Sequence, residues 1–446
     1  MTAAVRPVAG TTRKTNIRWL IVAMLFIVTA TNYADRTAIA IVGPVLSKEL
    51  GLSAARMGLI FSAFGWSYVL GQLPGGWLLD RYGSKRIYGL SLFFWSVCTL
   101  CQGMIGFLAG GAAIIALFSL LFLLGLAEAP AFPGNGRVVA AWFPKQERAT
   151  ASAIFNSAQY FATVMFAPLF GWITFSFGWP WVFGAMGGLG LALTLIWFKG
   201  MHSPADHPMV NQSELDYIAA GGGLIHMDDA ATKADPASGL RWDYIRQLFS
   251  SRLMVGIFLG QFCINAITYF FITWFPIYLV QARGMSILKA GLVAALPAIC
   301  GFSGGILGGI VSDWLLRRGW SLTASRKTPI VLGMLLSITM IGANYTNLQW
   351  LVVALMALAF FGKGFGALGW AVLSDAAPKE ITGLAGGMFN MCGSVASIST
   401  PLVIGIIVQM TGSFNGALLF VVANSVVAVF SYLVVVGEIK RMELRK

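Results

Sequence analysis

The sequence is poor in charged residues. Only 11% of its 446 residues are Asp, Glu, Lys or Arg, whereas soluble globular domains carry about 25%. Hydrophobic residues make up 57% of the chain, which is more apolar surface than a soluble domain of this size could hide from water. The shortage of charge excludes an ordinary soluble protein and favours an integral membrane protein.

Histidine and cysteine are also scarce. The three histidines, His202, His207 and His226, lie in one polar stretch, so no apolar run contains histidine. One CxxC pair, Cys98 and Cys101, has neither a second pair nor a nearby histidine. Zinc and redox sites need more ligands than this, so we expect no metal and no cofactor. A proton relay inside the membrane would have to use carboxylates.

Long apolar runs fill most of the chain. A helix needs about 20 apolar residues to cross about 30 Å of hydrocarbon. Twelve runs are candidates, at 17–42, 57–79, 85–107, 110–132, 148–175, 179–199, 253–281, 287–316, 327–346, 349–376, 383–410 and 413–437. They predict an all-α membrane protein with 12 transmembrane helices in contact with the lipid bilayer.

The net charge of +13 indicates topology rather than a nucleic-acid partner. If the N-terminus is cytoplasmic, only four of the 30 Lys and Arg residues fall in outer loops: Lys48, Arg56, Arg283 and Lys289. Because cytoplasmic loops of membrane proteins are enriched in Lys and Arg, this bias predicts that both termini are cytoplasmic.

The two halves of the sequence resemble each other. Gly76 and Asp80 recur as Gly309 and Asp313, and Pro144-Lys145 recurs as Pro378-Lys379 at nearly the same offset along the chain. This spacing predicts two pseudo-symmetric six-helix bundles, residues 1–199 and 253–446, joined by a cytoplasmic linker with a short surface helix at 200–252. A parallel repeat of this kind places a substrate site between the halves near the bilayer midplane, with access that alternates by rocking.

The segment Gly76–Arg86, GWLLDRYGSKR, resembles the loop signature of the major facilitator superfamily. Asn32–Arg36, Glu128–Asn135 and Trp274–Pro276 resemble its anion/cation symporter branch, and nearly the whole chain is similar to bacterial D-glucarate/galactarate transporters. The resemblance implies a transporter, not an enzyme, which takes up a hexarate dianion with protons across the bacterial inner membrane. We expect the monomer to be the functional unit.

Arg36 is the candidate for binding a substrate carboxylate. An ionisable group inside a membrane span is costly and needs a reason, and the planar guanidinium can bind both carboxylate oxygens without losing its charge. Asn32 and Tyr33 precede it by four and three residues, so they share its helical face. The alternative is a fixed Asp35–Arg36 network that only holds the first span.

Asp35 and Glu128 are the candidate proton carriers, since apolar surroundings favour the neutral form of a carboxyl group. The alternative for Glu128 is a structural partner of the helix kink at Pro130 and Pro133. Lys363 is the candidate for a second substrate carboxylate, and its alternatives are an interhelical salt bridge or a snorkelling lysine.

Polar stripes on four further spans offer hydrogen bonds to sugar hydroxyls, although bonds between helices are the alternative for each residue. The candidates on these stripes are Tyr68, Asn156, Gln159, Asn265, Thr268 and Asn390. Trp370 is a further candidate on the tenth span, seven residues after Lys363. The resemblance implies that Tyr68, Gln159, Trp370 and Asn390 match positions lining the sugar-acid site.

The superfamily signature implies a conformational latch rather than a ligand site. Its members are Gly76, Asp80, Arg81, Gly83 and Arg86, with Asp313 as the counterpart in the repeat. Substitutions there are expected to shift the conformational equilibrium more than substrate choice.

Leu121 departs from the family pattern, because relatives carry Arg seven residues before the acidic residue of the fourth span. Glu128 is therefore expected to lose a partner. The sequence leaves open whether transport is coupled to protons. The alternatives are a facilitator or exchanger of organic anions, a monocarboxylate symporter for galactonate or hexuronate, a receptor on the carrier fold, and a channel. A membrane enzyme is disfavoured by the absence of a nucleophile with a visible base.

Overall fold

A computed structural model describes residues 14–108, 110–144, 146–226, 242–378 and 381–444, and these residues form helices and connecting turns without a strand. The α-helices are α1 (Ile17–Glu49), α2 (Ala54–Tyr82), α3 (Ser84–Gln102), α4 (Gly110–Glu128), α5 (Ala131–Trp142), α6 (Arg148–Phe177), α7 (Pro180–Gly200), α8 (Gln212–Ala220), α9 (Trp242–Ser250), α10 (Arg252–Tyr269), α11 (Phe275–Ile277), α12 (Ile287–Arg317), α13 (Leu322–Ser337), α14 (Gln349–Gly364), α15 (Gly369–Ala376), α16 (Thr382–Ser394), α17 (Ala396–Thr411) and α18 (Asn415–Phe430).

Eleven of the predicted spans coincide with helical segments that are long and apolar enough to cross a membrane. The remaining predicted span, 57–79, coincides with α2, whose 29 residues are long enough but which is not among those eleven. The prediction of an all-α, multi-pass membrane protein is confirmed. We call the end that holds Ile17, Gly200 and Arg252 the linker face, and the opposite end the far face.

Two spans are broken next to an ionisable residue. In the fourth span, α4 ends at Glu128 and α5 begins at Ala131. In the tenth, α14 ends one residue after Lys363, and a 3-10 turn over Phe365–Leu368 leads into α15. The separation of Glu128 and Lys363 along the chain is close to the offset of the repeat, so both halves are interrupted at equivalent points.

The two bundles meet most closely near the far face. A Cβ atom at Gly65 of α2 would lie 2.8 Å from the backbone carbon of Ser397 in α17. A Cβ at Gly291 of α12 would lie 2.7 Å from the carbonyl oxygen of Ala167 in α6. Real Cβ atoms do not approach backbone atoms so closely, so these glycines let the helices seal the far face.

The linker is held more firmly than the predicted surface helix implies. Its helix α8 starts at Gln212 with Asn211 as the N-cap. Glu214 is fully buried and pairs with Arg18 at 2.9 Å, while Arg18 also pairs with Glu147 at 2.9 Å. The predicted short helix is therefore present as α8, and a buried ion pair fastens it to the start of α1.

Candidate functional site

A central cavity lies between the two halves. It has an empty volume of about 570 Å³ and is lined by α1 and α6 from the first half and by α10, α12 and α14 from the second. Its polar lining consists of Tyr33, Thr37, Gln159, Tyr160, Thr163, Thr268 and Lys363. The position between the halves agrees with the expectation from the repeat.

Arg36 lies in a smaller adjoining pocket of about 250 Å³, which shares Tyr33 with the central cavity and includes Asn32 and Tyr68. The guanidinium carbon lies 4.8, 4.4 and 4.9 Å from the ring centres of Tyr33, Phe64 and Tyr68. Aromatic faces attract a cation, so this cage stabilises the charge away from water. Nη2 also donates to Asn32 Oδ1 at 3.2 Å, which confirms that Asn32 shares the face of Arg36.

Glu128 is the partner of Arg36. Nε and Nη2 of Arg36 both donate to Glu128 Oε2, at 3.2 and 2.9 Å, and the carboxylate is fully buried. The expectation that Glu128 lacks a partner because of Leu121 is therefore wrong. Glu128 is the last residue of α4, directly before the break at Pro130. The same residue therefore forms the ion pair with Arg36 and lies at the helix kink.

Asp35 points elsewhere. It is buried beside α3 and α4, and within the described residues no ion pair joins it to Arg36, which contradicts the alternative of a fixed Asp35–Arg36 network. Thr99 faces Asp35, but Asp35 Oδ1 has no hydrogen-bond partner of good geometry in the described part of the chain. The carboxylate without a partner is thus Asp35 rather than Glu128.

Lys363 lies at the base of the central cavity with 8% of its surface exposed. Its Nζ lies 5.0 Å from the Phe360 ring centre and 5.8 Å from that of Tyr160. Among the ion pairs of the described residues, none includes Lys363, so the structure gives no support to the salt-bridge alternative. A buried cation that lines a cavity and forms no ion pair among the described residues is a strong binding point for an anion.

The other predicted substrate residues divide into two groups. Gln159 and Thr268 line the central cavity, and Tyr68 lines the Arg36 pocket. The linings of these two cavities do not include Asn156, Asn265, Trp370 or Asn390.

Local contacts explain those four positions. The Asn156 side chain donates to Ser152 O of its own helix at 2.8 Å, and Asn265 accepts from Gln261 at 3.4 Å. Asn390 donates to Gln72 across the two halves at 3.4 Å. Trp370 packs edge-on against Phe389 with 44% of its surface exposed. A role for them in binding stays a prediction.

Tyr160 and Thr163 belong to the same polar stripe of the fifth span as Asn156 and Gln159, and both line the cavity. Thr37 also lines the cavity, although the sequence analysis did not name it. The signal was present, because Thr37 follows Tyr33 by four residues.

The predicted latch residues of the first half lie where α2 meets α3. Arg81 lies over Trp77 of its own helix at 5.2 Å, and Arg86 is exposed; the side chain of Asp80 lies outside the described residues. Gly83 has φ +83°, which suits glycine at the turn between α2 and α3, and a Cβ at Gly76 would meet open space.

In the second half, Arg326 joins Asp313 at 3.4 Å and Asp375 at 3.0 Å, so the counterpart of the latch is a three-residue ion cluster. Sequence reasoning identified Asp313 but not Arg326.

Three comparisons place this geometry among known proteins. Residues 25–325 match the model of the Major Facilitator Superfamily. The chain is 61% identical over 433 residues to "Probable galactarate/D-glucarate transporter GudP" of Escherichia coli (strain K12), covering 97% of this chain and 96% of the relative. It is 42% identical over 427 residues to the "D-galactonate transporter" of Escherichia coli O6:H1, covering 95% and 97%. A solved D-xylose-proton symporter shares the fold with TM-score 0.70 at 14% identity, covering 95% of this chain and 99% of that one.

Proposed function

The chain belongs to the Major Facilitator Superfamily, and we propose that it imports a hexarate dianion such as D-glucarate or galactarate by proton symport with alternating access. In this proposal the protein lies in the bacterial inner membrane with both termini cytoplasmic and works as a monomer. The far face is then the outer face. No cofactor takes part other than the coupling protons.

The observation that carries the proposal is the pair of buried cations, one from each half. Arg36 belongs to the first half and Lys363 to the second, and their cavities adjoin at Tyr33. A dicarboxylate offers one negative group to each cation, whereas a monocarboxylate would leave one buried cation without a partner. Binding across both halves also ties substrate occupancy to their relative movement.

The Arg36–Glu128 pair supplies the coupling. While Glu128 is ionised, it occupies the guanidinium through Oε2. A proton on Glu128 weakens this pair and frees the planar fork of Arg36 for a substrate carboxylate, which restores its neutralisation. Proton and anion therefore bind together. Asp35 is the proposed second proton carrier, since it is buried without a cationic partner among the described residues.

The names of the relatives support a sugar-acid substrate, and they include carriers for both dicarboxylates and a monocarboxylate. Lys363 separates these two possibilities. Its free ammonium group favours the hexarate, because a cation buried in a low-dielectric cavity costs free energy unless an anion neutralises it.

The experiment is uptake of labelled D-glucarate and galactonate into proteoliposomes, with and without an inward proton gradient, for the wild type and Lys363→Asn. A lost charge-assisted hydrogen bond of about 1.5–3 kcal/mol weakens apparent glucarate affinity about 10- to 150-fold. Lys289→Asn is the matched control, because Lys289 is an exposed lysine whose ammonium group donates to Gln349 Oε1 at 2.6 Å.

Unchanged glucarate affinity in Lys363→Asn would refute the dicarboxylate assignment. Wild-type uptake that ignores the proton gradient would refute symport and favour the exchanger. In that case Leu121→Arg, which introduces the basic residue that relatives carry, tests whether coupling is restored.

A further inference from the structure

We propose that α3 carries a proton path from the far face to Asp35, with Thr99 and Gln102 as its positioning residues. The inference rests on the proposed symport and names the route by which one of its protons arrives. It separates that route from the cavity through which the substrate passes.

The first observation is a line of buried polar atoms without partners. Asp35 Oδ1, Trp95 Nε1, Thr99 Oγ1 and Gln102 Nε2 each lack a hydrogen-bond partner of good geometry within the described residues, although Thr99 lies within reach of Asp35. None of the four residues is more than 4% exposed. Folded proteins rarely leave such groups unsatisfied, and bound water is the usual partner. Four unsatisfied groups in one region indicate a site built for water.

The second observation is their alignment. Trp95, Thr99 and Gln102 follow one another at spacings of four and three residues, which places them on one face of α3. Thr99 is the member that faces Asp35 across the helix interface. Gln102 is the last residue of α3 and lies on the far-face side of Thr99, only about 4.5 Å from it along the helix axis. The 3-10 turn over Gly103–Phe107 continues the span from Gln102 towards the far face. A single water can bridge a step of this length.

The chemistry of the three side chains determines which of them can pass a proton and therefore in which direction the proton can move along α3. The hydroxyl group of Thr99 both donates and accepts, so it can pass a proton between a water and Asp35. The amide of Gln102 can hold a water but does not ionise. The indole of Trp95 only donates, so it cannot relay a proton and closes the line towards the linker face.

The surroundings leave Asp35 as the proton acceptor of this line. The charged groups that act on it are Glu128 of α4 and Arg36 of its own helix. Residues 181–198 of the neighbouring α7 and 149–177 of α6 include no Asp, Glu, Lys, Arg or His. Asp35, Thr99 and Gln102 are absent from the linings of the central cavity and of the Arg36 pocket. The proton path is therefore distinct from the substrate cavity.

The test compares Thr99→Val and Gln102→Leu with the wild type in proteoliposomes that contain a pH-sensitive dye. Proton uptake driven by added glucarate is measured beside glucarate counterflow, an exchange without net proton movement. We expect proton uptake to slow about tenfold or more, while counterflow stays at the wild-type rate and so shows that the variants fold. Thr99→Ser keeps the hydroxyl group and should restore proton uptake.

Thr174→Val is the matched control, since Thr174 is another buried threonine whose hydroxyl has no partner among the described residues, but it lies on α6. If Asp35→Asn abolishes glucarate-driven proton uptake while Thr99→Val and Gln102→Leu retain the wild-type rate, the path is overturned and the symport proposal stands. If Asp35→Asn also retains the wild-type rate, the role of Asp35 in symport and the path both fail.

Discussion

The buried contact between the linker and the first helix gives a sharp stability prediction. Glu214 accepts hydrogen bonds from Thr15 Oγ1 at 2.6 Å, from the Ile17 and Arg18 backbone N–H groups at 3.0 and 3.3 Å, and from Arg18 Nη1 at 2.9 Å. One carboxylate thus caps the first turn of α1 and neutralises a buried arginine. We predict that Glu214→Ala destabilises the first bundle.

The magnitude follows from what the substitution leaves behind. Removing one member of a buried ion pair costs about 3–5 kcal/mol, because the remaining charge and N–H groups lose their partner. Arg18 keeps Glu147 at 2.9 Å, so the lower end of this range applies. For a bundle of roughly 200 residues, about 3 kcal/mol lowers the unfolding temperature by about 6 °C or more.

The assay is thermal unfolding of purified protein in detergent. Asp216→Ala is the matched control, since Asp216 is an exposed acid on the same helix that accepts a hydrogen bond from Gln212 at 2.7 Å. A surface substitution of this kind changes stability by about 0.5 kcal/mol or less. Equal unfolding temperatures for the two variants would show that the linker helix does not stabilise the bundle.

Two further predictions follow from Glu147 and Gly65. Burial alone would raise the pKa of Glu147, but hydrogen bonds from Arg18 and Tyr217 outweigh burial and hold the pKa below its ordinary value. The stability that this pair contributes is therefore fully present above the unfolded-state pKa of about 4.3. It is lost as the pH falls through the lower folded-state pKa. Unfolding temperatures measured from pH 7 to 3 should therefore depend less on pH in Glu147→Gln, and an unchanged slope would contradict the pairing. Gly65→Val should separate α2 from α17 at the far face and so increase thiol labelling of a Thr163→Cys cavity probe from that side. Gly188→Val is the control and should leave the labelling unchanged, because a Cβ added there meets nothing within 4 Å. Equal labelling of the two variants would refute the seal.

The spans could be predicted from sequence because length and hydropathy suffice for a membrane helix. The same reasoning did not show that α2 is a weaker candidate for a membrane span than the other helices. It also missed α9, whose short amphipathic pattern resembles an ordinary polar linker. The close contacts at Gly65 and Gly291 could not be predicted, since sequence spacing does not show which distant helix lies opposite a glycine.

The candidate site shows the same boundary between local and distant information. Residues one helical turn apart, such as Asn32 and Arg36, were grouped correctly because the helix period fixes their common face. The partner of Glu128 was not, because Arg36 lies far earlier in the chain and meets it only through tertiary packing. The Asn390–Gln72 bond, which joins the two halves, was hidden for the same reason.

Comparison of equivalent positions in the repeat shows that the two halves carry different charged residues. Glu128 and Lys363 stand at equivalent breaks, one acidic and one basic. The same offset carries Arg36 onto Phe270 or Phe271, so the second half places aromatic rings where the first half places the guanidinium. Phe271 lines the central cavity and packs on Phe360 at 4.4 Å, beside Lys363.

The first half therefore neutralises its own cation, and the second half leaves its cation facing a hydrophobic wall. Two equivalent ion pairs would hold each half closed on itself and leave no site for an anion. Among the described residues Arg36 has a carboxylate partner and Lys363 has none, so under the proposed symport a dianion would gain most by neutralising Lys363 first. Its second carboxylate would then replace Glu128 on Arg36 once that acid is protonated. In this proposal the asymmetry of the duplicated scaffold sets an order of events in which proton binding decides whether both ends of the substrate are held.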